Sequence, residues 1–535
     1  MKKLVWLIAA IASAQVRVST DAGTLEGISF QKDAVFLGIP FASPPIGPLR
    51  WKPPQPPMKW KGVRPAKTFG AACPQSDATY NQTLFAEIAP DYPYYKDPRM
   101  DEDCLTLNVW SRNIGAPKPQ PVMVWIHGGS NIGGVGSLPP FGPKLAARGV
   151  VYVSLNYRLG ALGFLAAPEL TAESPHHASG NYGIVDLIAG LEWVHRNIAS
   201  FGGDPSNVTV FGESAGGVMI CYLMSSPLAH GLFHHAILES CSCQSYISPE
   251  LKRRIRYEYD QASAEDAGTA LAHAMGASTV KQLRERPADE IVKVSETTPA
   301  VMNFLYAGST VDGWVLPQQP ARTFAEQQQM KVNVLTGSNA DEGTVALGVL
   351  GEPTLANYRT WLQHQFDTHA DEVFAAYPAK SDADVRSAFL AAMDDYQRAD
   401  AVRTLARETV RAGEQAYLYY FDYPSKGAYA SQGLGTFHAL DLSFVAGGFF
   451  RKSRWGEPNS ADWKVVETMT GYWVQFAKTG DPNHAGSHQW MPYDPANPQA
   501  LELGSRVKMI PAPRIRQSEV FERILKARLN ETSRK

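Results

Sequence analysis

Ser214 stands in a pattern that suits a nucleophile. Residues 212–216 read Gly-Glu-Ser-Ala-Gly, a G-x-S-x-G pentapeptide between the β-branched run 208–211 and the apolar segment 215–223. This order predicts a strand, a sharp turn and a helix, with glycines where side chains would collide with neighbouring backbone. The hydroxyl would lie at the helix N-terminus, where amide groups favour developing negative charge. The pentapeptide alone is typical of ordinary loops, so its place between strand and helix carries the hypothesis.

A nucleophilic serine also needs an acid that orients its base. In an open parallel sheet the reactive groups collect at the carboxyl ends of strands, and the acid follows the serine along the chain. After the predicted strand 332–335, the turn-rich loop 336–343 carries Asp341 and Glu342. Either one could be the orienting acid, and the alternative for both is a solvated loop carboxylate.

The candidate base is a histidine. Five histidines follow the acid loop: His364, His369, His438, His484 and His488. The first two lie in a helical region and the last two in a polar turn. His438 follows the predicted strand 417–421 through a glycine-rich loop, which makes it the best-placed base, with a structural or surface role as the alternative.

An oxyanion hole is predicted upstream of the serine. The apolar strand 122–126 runs into His127-Gly128-Gly129-Ser130. Glycines without a Cβ let backbone amides turn inward, and a carbonyl attacked by Ser214 becomes an alkoxide that such amides stabilise. The loop therefore offers donors for acyl transfer.

Short, nearly continuous apolar runs must position these groups. Such runs are typical of strands buried on both faces, as in a parallel sheet covered by helices. Residues 183–198 have helical spacing and predict a crossover helix. The sequence therefore predicts an α/β fold: a large, mostly parallel sheet flanked by helices, with an N-terminal antiparallel hairpin and helical insertions at 249–293 and 355–412. The apolar runs lie at 122–126, 150–155, 208–211, 236–238, 332–335 and 417–421, the hairpin strands at 16–20, 23–30 and 34–38, and a late helix at 463–477.

With these motifs in place, the chain resembles the type B carboxylesterase and cholinesterase family of α/β-hydrolases, in its bacterial para-nitrobenzyl-esterase-like form. The resemblance extends from about residue 16 to beyond residue 483. Many motifs match in order, which makes coincidence remote. They are Gly38-Ile39-Pro40-Phe41-Ala42, Pro44-Pro45-Ile46-Gly47, Glu102-Asp103-Cys104-Leu105-Thr106-Leu107-Asn108, Asn156-Tyr157-Arg158, the segment 201–217 and Asp341-Glu342-Gly343.

The resemblance assigns roles to the candidate residues. It implies Ser214 as nucleophile, Glu342 rather than Asp341 as orienting acid, and His438 as general base. It implies a set of supporting positions as well: the amides of Gly129, Ser130 and Ala215 as oxyanion donors, Gly128 as the residue that shapes their loop, Ser240 as a supporting serine, and a disulfide between Cys73 and Cys104.

Two departures from the family pattern concern specificity. Ser130 and Asn131 stand where the family commonly has a third glycine or alanine and then an aromatic residue. These side chains would narrow or polarise the acyl side. Tyr94 occupies the position of the cation-binding tryptophan of cholinesterases, and tyrosine attracts cations less well. Choline esters are therefore not the expected substrates.

The composition and the first residues of the chain indicate its partners and its cellular location. Formal net charge is −2, with no long basic run, so no nucleic-acid partner is predicted. Residues 1–14 combine two lysines, an apolar run and a small-residue site, which predicts a signal peptide cleaved after Ala14. The alternative, a membrane anchor, would need about 20 apolar residues. We therefore expect a secreted or periplasmic protein whose residues 15–535 form one catalytic domain.

The remaining cysteines leave their pairing open. Cys241 and Cys243 could form a strained local bridge or be two thiols, and Cys221 has no evident partner in the sequence. The five cysteines also lack the spacing of a zinc site.

These observations predict a secreted serine carboxylesterase acting on small-molecule esters through an acyl-enzyme, with neither metal nor organic cofactor. The alternatives are a non-catalytic adhesion or binding member of the same fold, a lipase acting on insoluble esters, and cleavage of amides or thioesters by the same triad. The binding alternative is disfavoured because all three triad positions are filled. The oligomeric state is left open by the sequence.

Overall fold

The computed structural model describes residues 16–77, 99–241, 243–245, 247–256, 260–396, 400–448 and 452–533. The predicted signal peptide and Tyr94 lie outside the described residues.

Thirteen described strands form one sheet, in the order β1-β2-β3-β5-β7-β6-β8-β9-β12-β13-β14-β15, with β4 beside β2. Strands β10 and β11 form a separate two-stranded sheet. The strands are β1 Val16–Ser19, β2 Thr24–Phe30, β3 Asp33–Pro40, β4 Val63–Pro65, β5 Thr106–Ser111, β6 Gln120–Ile126, β7 Val151–Leu155, β8 Gly203–Glu213, β9 His235–Glu239, β10 Ile255–Arg256, β11 Gln261–Ala262, β12 Asn333–Asn339, β13 Ala416–Asp422, β14 Gln499–Gly504 and β15 Val507–Pro511.

The centre of the sheet is parallel and its ends are antiparallel. Neighbours from β7 through β14 pair in parallel. Strands β1, β2, β3 and β5 pair antiparallel at one end, and β15 does so at the other. This confirms the predicted mostly parallel sheet with N-terminal antiparallel strands, and adds an antiparallel strand at the far edge.

Helices cover both faces of the sheet. The longer ones near the site are α4, which is the predicted crossover helix, α5, which follows Ser214, and α19, the predicted late helix. The described helices, in chain order, are α1 Gly142–Ala147, α2 Gly160–Phe164, α3 Pro168–Glu173, α4 Tyr182–Asn197, α5 Ala215–Ser225, α6 Ala264–Ala274, α7 Val280–Arg284, α8 Ala288–Thr297, α9 Pro299–Ala307, α10 Pro320–Ala325, α11 Leu347–Leu350, α12 Leu355–Phe366, α13 Ala370–Ala376, α14 Asp382–Asp394, α15 Asp400–Arg411, α16 Gly427–Ser431, α17 Leu440–Val445, α18 Lys452–Trp455, α19 Ser460–Thr479 and α20 Ile515–Thr532.

The sheet separates two apolar cores. On β6, Val122, Val124 and Ile126 pack into the core shared with α4 and α5, while Met123 and Trp125 pack into the core shared with α17 and α19. Alternation of apolar side chains to both faces explains why these strands are continuous apolar runs in the sequence. The insertion helices α12 to α14 bury a third cluster together with α20.

Two disulfides lie in the described part of the chain. Cys73 pairs with Cys104, the bond that the resemblance implies. Cys243 pairs with Cys221, with the two Cα atoms 6.3 Å apart, so neither alternative considered for Cys241 and Cys243 was right. The cause is topological: Cys221 lies in α5, and the chain returns through β9 to bring Cys243 beside it. Cys241 is buried and belongs to neither disulfide.

Candidate active site

The predicted site residues follow neighbouring parallel strands. Ser214 comes directly after β8, Glu342 follows β12, His438 follows β13, and the loop 127–134 follows β6. Because these strands are parallel, their carboxyl ends lie at one edge of the sheet. The fold therefore collects these residues at that edge, although the sequence separates them by more than 300 positions.

Ser214 sits on a strained turn. Its φ of 55° and ψ of −125° lie outside the regions that non-glycine residues favour. Its amide donates to the Glu239 carbonyl at 2.9 Å, and its own carbonyl accepts from the Val218 amide at 3.0 Å. A Cβ on Gly212 or Gly216 would stand 2.7 or 2.1 Å from the Ile126 carbonyl oxygen, so both glycines are required. The turn thus matches the geometry expected of the pentapeptide.

Glu342 binds the imidazole of His438. Its Oε2 lies 2.6 Å from His438 Nδ1. Its Oε1 accepts hydrogen bonds from Ser240 Oγ at 2.5 Å and from the Asn339 amide at 2.8 Å. The carboxylate is buried, and these donors fix its orientation. An Nδ1–H that donates to Glu342 leaves Nε2 as the proton acceptor in the neutral ring.

The neighbouring acid faces elsewhere. Asp341 Oδ2 accepts from the Thr436 amide at 2.7 Å, and the Asp341 backbone pairs with Phe437. Asp341 therefore orders the loop that carries His438, while Glu342 contacts the ring itself. Between the two acids that the sequence offered, the geometry favours Glu342.

A second carboxylate reaches the other ring nitrogen. Glu213 Oε1 lies 3.1 Å from His438 Nε2, and the Glu213 side chain is 1% exposed. Sequence reasoning missed Glu213, although it occupies the variable position before Ser214 in the pentapeptide. The sequence did carry one indication of its role: an acidic residue stands at the end of a buried strand, at the sheet edge where the other candidate residues lie.

The loop after β6 lies against the nucleophile. A Cβ on Gly128 would stand 3.3 Å from Ser214 Cβ and 2.6 Å from the Glu213 carbonyl oxygen, so only glycine fits there. In the described part of the chain, no backbone carbonyl accepts a hydrogen bond from the amides of Gly129, Ser130 or Ala215. Free amides beside the serine are what an oxyanion hole requires.

His127 anchors this loop and is not a second base. Burial lowers the pKa of His127 to about 4, so the ring is neutral near pH 7. Its Nδ1 lies 2.9 Å from the Gly128 carbonyl oxygen, and its ring stacks on Tyr157 with centroids 4.4 Å apart. The Tyr157 hydroxyl donates to the His127 carbonyl at 2.9 Å. The side chain thus fixes the start of the proposed donor loop.

Two further acids lie behind Glu342. Asp441 accepts from the Tyr419 hydroxyl at 2.9 Å and from Asn339 Nδ2 at 3.2 Å. Burial, and then the charge of Glu342, raises the pKa of Asp441 to about 7. Glu239 accepts from the Trp473 indole at 2.7 Å, and burial raises the pKa of its carboxyl well above the ordinary value. Sequence reasoning missed both acids.

The structure offers no metal centre or membrane span in its described portion. The residues it describes contain no cluster of three His, Cys, Asp or Glu side chains arranged to hold a metal ion. Among the same residues, every helix is too short or too polar to cross a bilayer.

The fold and the site geometry define an α/β-hydrolase with a serine on a strand-to-helix turn. Comparison with known proteins names the family: residues 13–521 match the model of the carboxylesterase family, and the chain belongs to it. It is a carboxylic ester hydrolase.

Individual relatives agree with this assignment. The chain is 34% identical over 504 residues to fumonisin B1 esterase of Sphingopyxis macrogoltabida, covering 91% of this chain and 86% of that protein. It is 32% identical over 505 residues to para-nitrobenzyl esterase of Bacillus subtilis (strain 168), covering 92% and 95%. A solved PNB esterase structure superposes with a TM-score of 0.78 at 29% identity, covering 94% of this chain and 99% of that one.

Proposed function

We propose that the protein is a secreted serine carboxylesterase that works through an acyl-enzyme on a Ser214-Glu342-His438 triad. The observation that carries the proposal is the 2.6 Å contact between Glu342 Oε2 and His438 Nδ1, at the sheet edge that also carries the strained Ser214 turn. Within the described residues, the amides of Gly129, Ser130 and Ala215 donate to no backbone carbonyl, which supports the oxyanion hole. No step needs a metal or organic cofactor.

The reaction begins with attack of Ser214 Oγ on the ester carbonyl. His438 Nε2 takes the hydroxyl proton, and the carbonyl oxygen becomes an alkoxide that the three amides stabilise. Each well-placed donor contributes roughly 2.7–4 kcal/mol to lowering the barrier. The imidazolium then protonates the leaving alcohol, and the acyl group remains on Ser214.

Carboxylates on both ring nitrogens support the charged imidazole. Glu342 holds Nδ1, and Ser240 and the Asn339 amide hold Glu342. Glu213 lies 3.1 Å from Nε2, where the proton arrives. Water then attacks the acyl-enzyme by the same route, with His438 as base, and releases the acid.

Export completes the proposal. The predicted signal at residues 1–14 would direct residues 15–535, as one catalytic domain, to the periplasm or the medium. Two disulfides in the described residues are compatible with an oxidising compartment. Expression of the full chain, followed by N-terminal sequencing of the exported protein, should give Gln15 as the first residue; retention of Met1 would contradict the export proposal.

The test of the chemistry uses p-nitrophenyl esters from acetate to long acyl chains. Wild type should hydrolyse a subset of the series, and Ser214→Ala should lose on the order of 10⁶-fold in kcat, because it removes the nucleophile. Circular dichroism should be unchanged.

If Ser214→Ala kept wild-type activity, the triad would be wrong; if the folded wild type turned over no ester, a binding role on the same fold would replace the proposal. A rise in rate above substrate micellisation would assign lipase activity.

A further inference from the structure

Glu342 is held by its backbone as well as by its side chain. It opens a short 3₁₀ turn, Glu342–Ala346, directly after β12. On one side, the amide of Asp341 donates to a backbone carbonyl at 3.1 Å. On the other side, the amide of Gly343 donates to Oδ1 of Asp394 at 2.5 Å. The reaction proposed above gives no role to Asp394.

The Gly343 amide takes its acceptor from a distant part of the chain. The first amides of a helical turn have no carbonyl within that turn to bind. Asp394, the last residue of α14, lies 51 positions away and supplies the missing oxygen. A Cβ on Gly343 would stand 3.0 Å from Asp394 Oδ1 and 3.0 Å from Met393 Cβ, which is closer than side chains normally pack. The chain therefore has a glycine where the end of α14 meets the backbone of the proposed orienting acid.

Asp394 stands at an unfavourable position for a carboxylate. It is 7% exposed and ends a helix, where the backbone favours cations rather than anions. Burial raises the pKa of Asp394 to about 7 against the lowering effects of the Gly343 amide and Arg514, and the charge of Glu342 adds to the rise. Both protonation states keep an oxygen that can accept from an amide. Because burying a carboxyl costs free energy, its place here indicates a specific contact rather than general packing.

Arg514, which precedes α20, contacts two adjacent acids. Its Nη2 lies 3.4 Å from Asp394 Oδ2, and its Nε lies 2.9 Å from Asp395 Oδ1. Asp395 Oδ2 accepts from the Tyr377 hydroxyl at 2.7 Å. Asp394 therefore faces the backbone beside Glu342, whereas Asp395 faces Tyr377. The second acid shares the burial and the arginine of the first, which makes it a matched control.

We infer that Asp394 is a positioning residue: it binds the Gly343 amide and so holds Glu342 in its contact with the imidazole. The inference rests on the proposed triad and adds a residue that touches neither the substrate nor the reacting atoms. Glu342 Oε2 lies 2.6 Å from His438 Nδ1. A displacement of about 1 Å in such a contact can cost about 10²-fold in rate. The end of α14 would thus contribute to catalysis through one side-chain oxygen.

The experiment compares two variants of similar shape at residue 394. Asp394→Asn keeps an oxygen for the Gly343 amide, and Asp394→Leu has none; both lose the charge that faces Arg514. On the shortest p-nitrophenyl ester that wild type hydrolyses, Asp394→Leu should lower kcat about 10- to 100-fold. Asp394→Asn should stay within about 3-fold of wild type. KM should change less than about 2-fold, because Glu342 supports the imidazole in acylation and deacylation alike.

A double-mutant cycle shows whether Asp394 acts through Glu342. In Glu342→Ala no carboxylate remains to be positioned, so adding Asp394→Leu should change kcat less than about 2-fold. Ser214→Ala sets the lowest measurable rate. A general weakening of the fold would instead lower kcat in both backgrounds.

The same substitution at the next residue is the control. Asp395→Leu also removes a buried acid that faces Arg514, and it removes the acceptor of the Tyr377 hydroxyl. In folded protein, checked by circular dichroism and urea unfolding, its kcat should stay within about 3-fold of wild type. Lower stability with unchanged kcat in this variant would show that a stability loss alone does not produce the effect expected of Asp394→Leu.

Two results would overturn the inference: equal kcat in Asp394→Leu and Asp394→Asn, or the same fold-loss from Asp394→Leu in the wild-type and Glu342→Ala backgrounds. If Asp394→Leu does not fold, Asp394→Ala removes the same acceptor and carries the same expectation. Failure of the proposed triad is a separate outcome, since Glu342→Ala would then keep the kcat of wild type.

Discussion

Two pairs of buried carboxylates lie at the reactive edge of the sheet, and they differ in what they contact. Glu342 and Glu213 face the two ring nitrogens of His438, at 2.6 and 3.1 Å. Glu239 and Asp441 lie behind them and bind the Trp473 indole and the Tyr419 hydroxyl. Similar burial therefore comes with different contacts: in the proposed mechanism the front pair supports a positive ring, while the back pair is held by neutral donors.

In the proposed mechanism, this difference places negative charge beside the ring that becomes positive. The charge of Glu342 contributes to raising the pKa of Asp441, and the charge of Asp441 contributes to raising that of Glu239, in each case after burial. Raised pKa values favour the protonated form of the two acids behind Glu342, and a protonated carboxyl adds less repulsion there than a carboxylate. Neighbouring carboxyl groups with separated pKa values commonly have separate roles.

The largest expected effect separates Glu342 from its neighbour in sequence. Glu342→Gln should lower kcat about 10³–10⁴-fold, because a neutral amide neither fixes the Nδ1–H tautomer nor stabilises the imidazolium. Steady-state kinetics on a short-chain p-nitrophenyl ester measures the loss. Asp341→Asn is the matched control and should lose far less, since Asp341 binds the Thr436 amide instead. If kcat fell further in Asp341→Asn than in Glu342→Gln, Asp341 rather than Glu342 would be the orienting acid.

The next effect tests the other member of the front pair. Glu213→Gln should lower kcat about 10- to 100-fold, equivalent to about 1.4–2.7 kcal/mol, because it removes the negative charge 3.1 Å from Nε2. Glu239→Gln, which keeps an acceptor for the Trp473 indole, should cost less than about 5-fold. If kcat fell equally in Glu213→Gln and Glu239→Gln, the front and back carboxylates would not have different roles.

Substitution of Asp441 should have the smallest effect on rate. Its measurable effect is on the pH dependence of the free energy of unfolding. An unfolded aspartate titrates near pH 3.9, and the folded pKa is about 7, so the folded state keeps a proton that the unfolded state loses. The free energy of unfolding should therefore fall as pH rises from about 4 to 7, by at most about 4 kcal/mol from this group.

Asp441→Asn should flatten that part of the pH profile, measured by urea unfolding at several pH values. Asp384→Asn is the control: hydrogen bonds from the Lys380 amide and from Ser381 lower the pKa of that carboxyl, so its contribution changes below pH 4. An unchanged slope in Asp441→Asn would place the titrating group elsewhere.

Much of the fold and part of the site were predictable from the sequence. The strands of the parallel centre are apolar on both faces and read as continuous runs, and the G-x-S-x-G context placed Ser214 between β8 and α5. The family motif favoured Glu342 over Asp341, which residue type alone left open. Only the structure brings Glu342 within 2.6 Å of His438.

What the sequence missed depends on contacts between distant elements. Glu239 and Asp441 bind Trp473, Tyr419 and Asn339, which come from three elements and share no local pattern. The Cys221–Cys243 bond joins α5 to the segment after β9. Helix α20 packs on α13 and α15 through contacts that no local period reveals. Such pairings follow from topology and burial rather than from spacing.

The proposed nucleophile, Ser214, can be tested by labelling the active site covalently. The folded protein is treated with a p-nitrophenyl alkylphosphonate, p-nitrophenol release is followed, and the adduct is located by peptide mass mapping. If Ser214 is the nucleophile, we expect a burst of one equivalent, an adduct on Ser214, and loss of labelling in Ser214→Ala. Labelling of a different residue, or no labelling of a folded protein that hydrolyses esters, would contradict it.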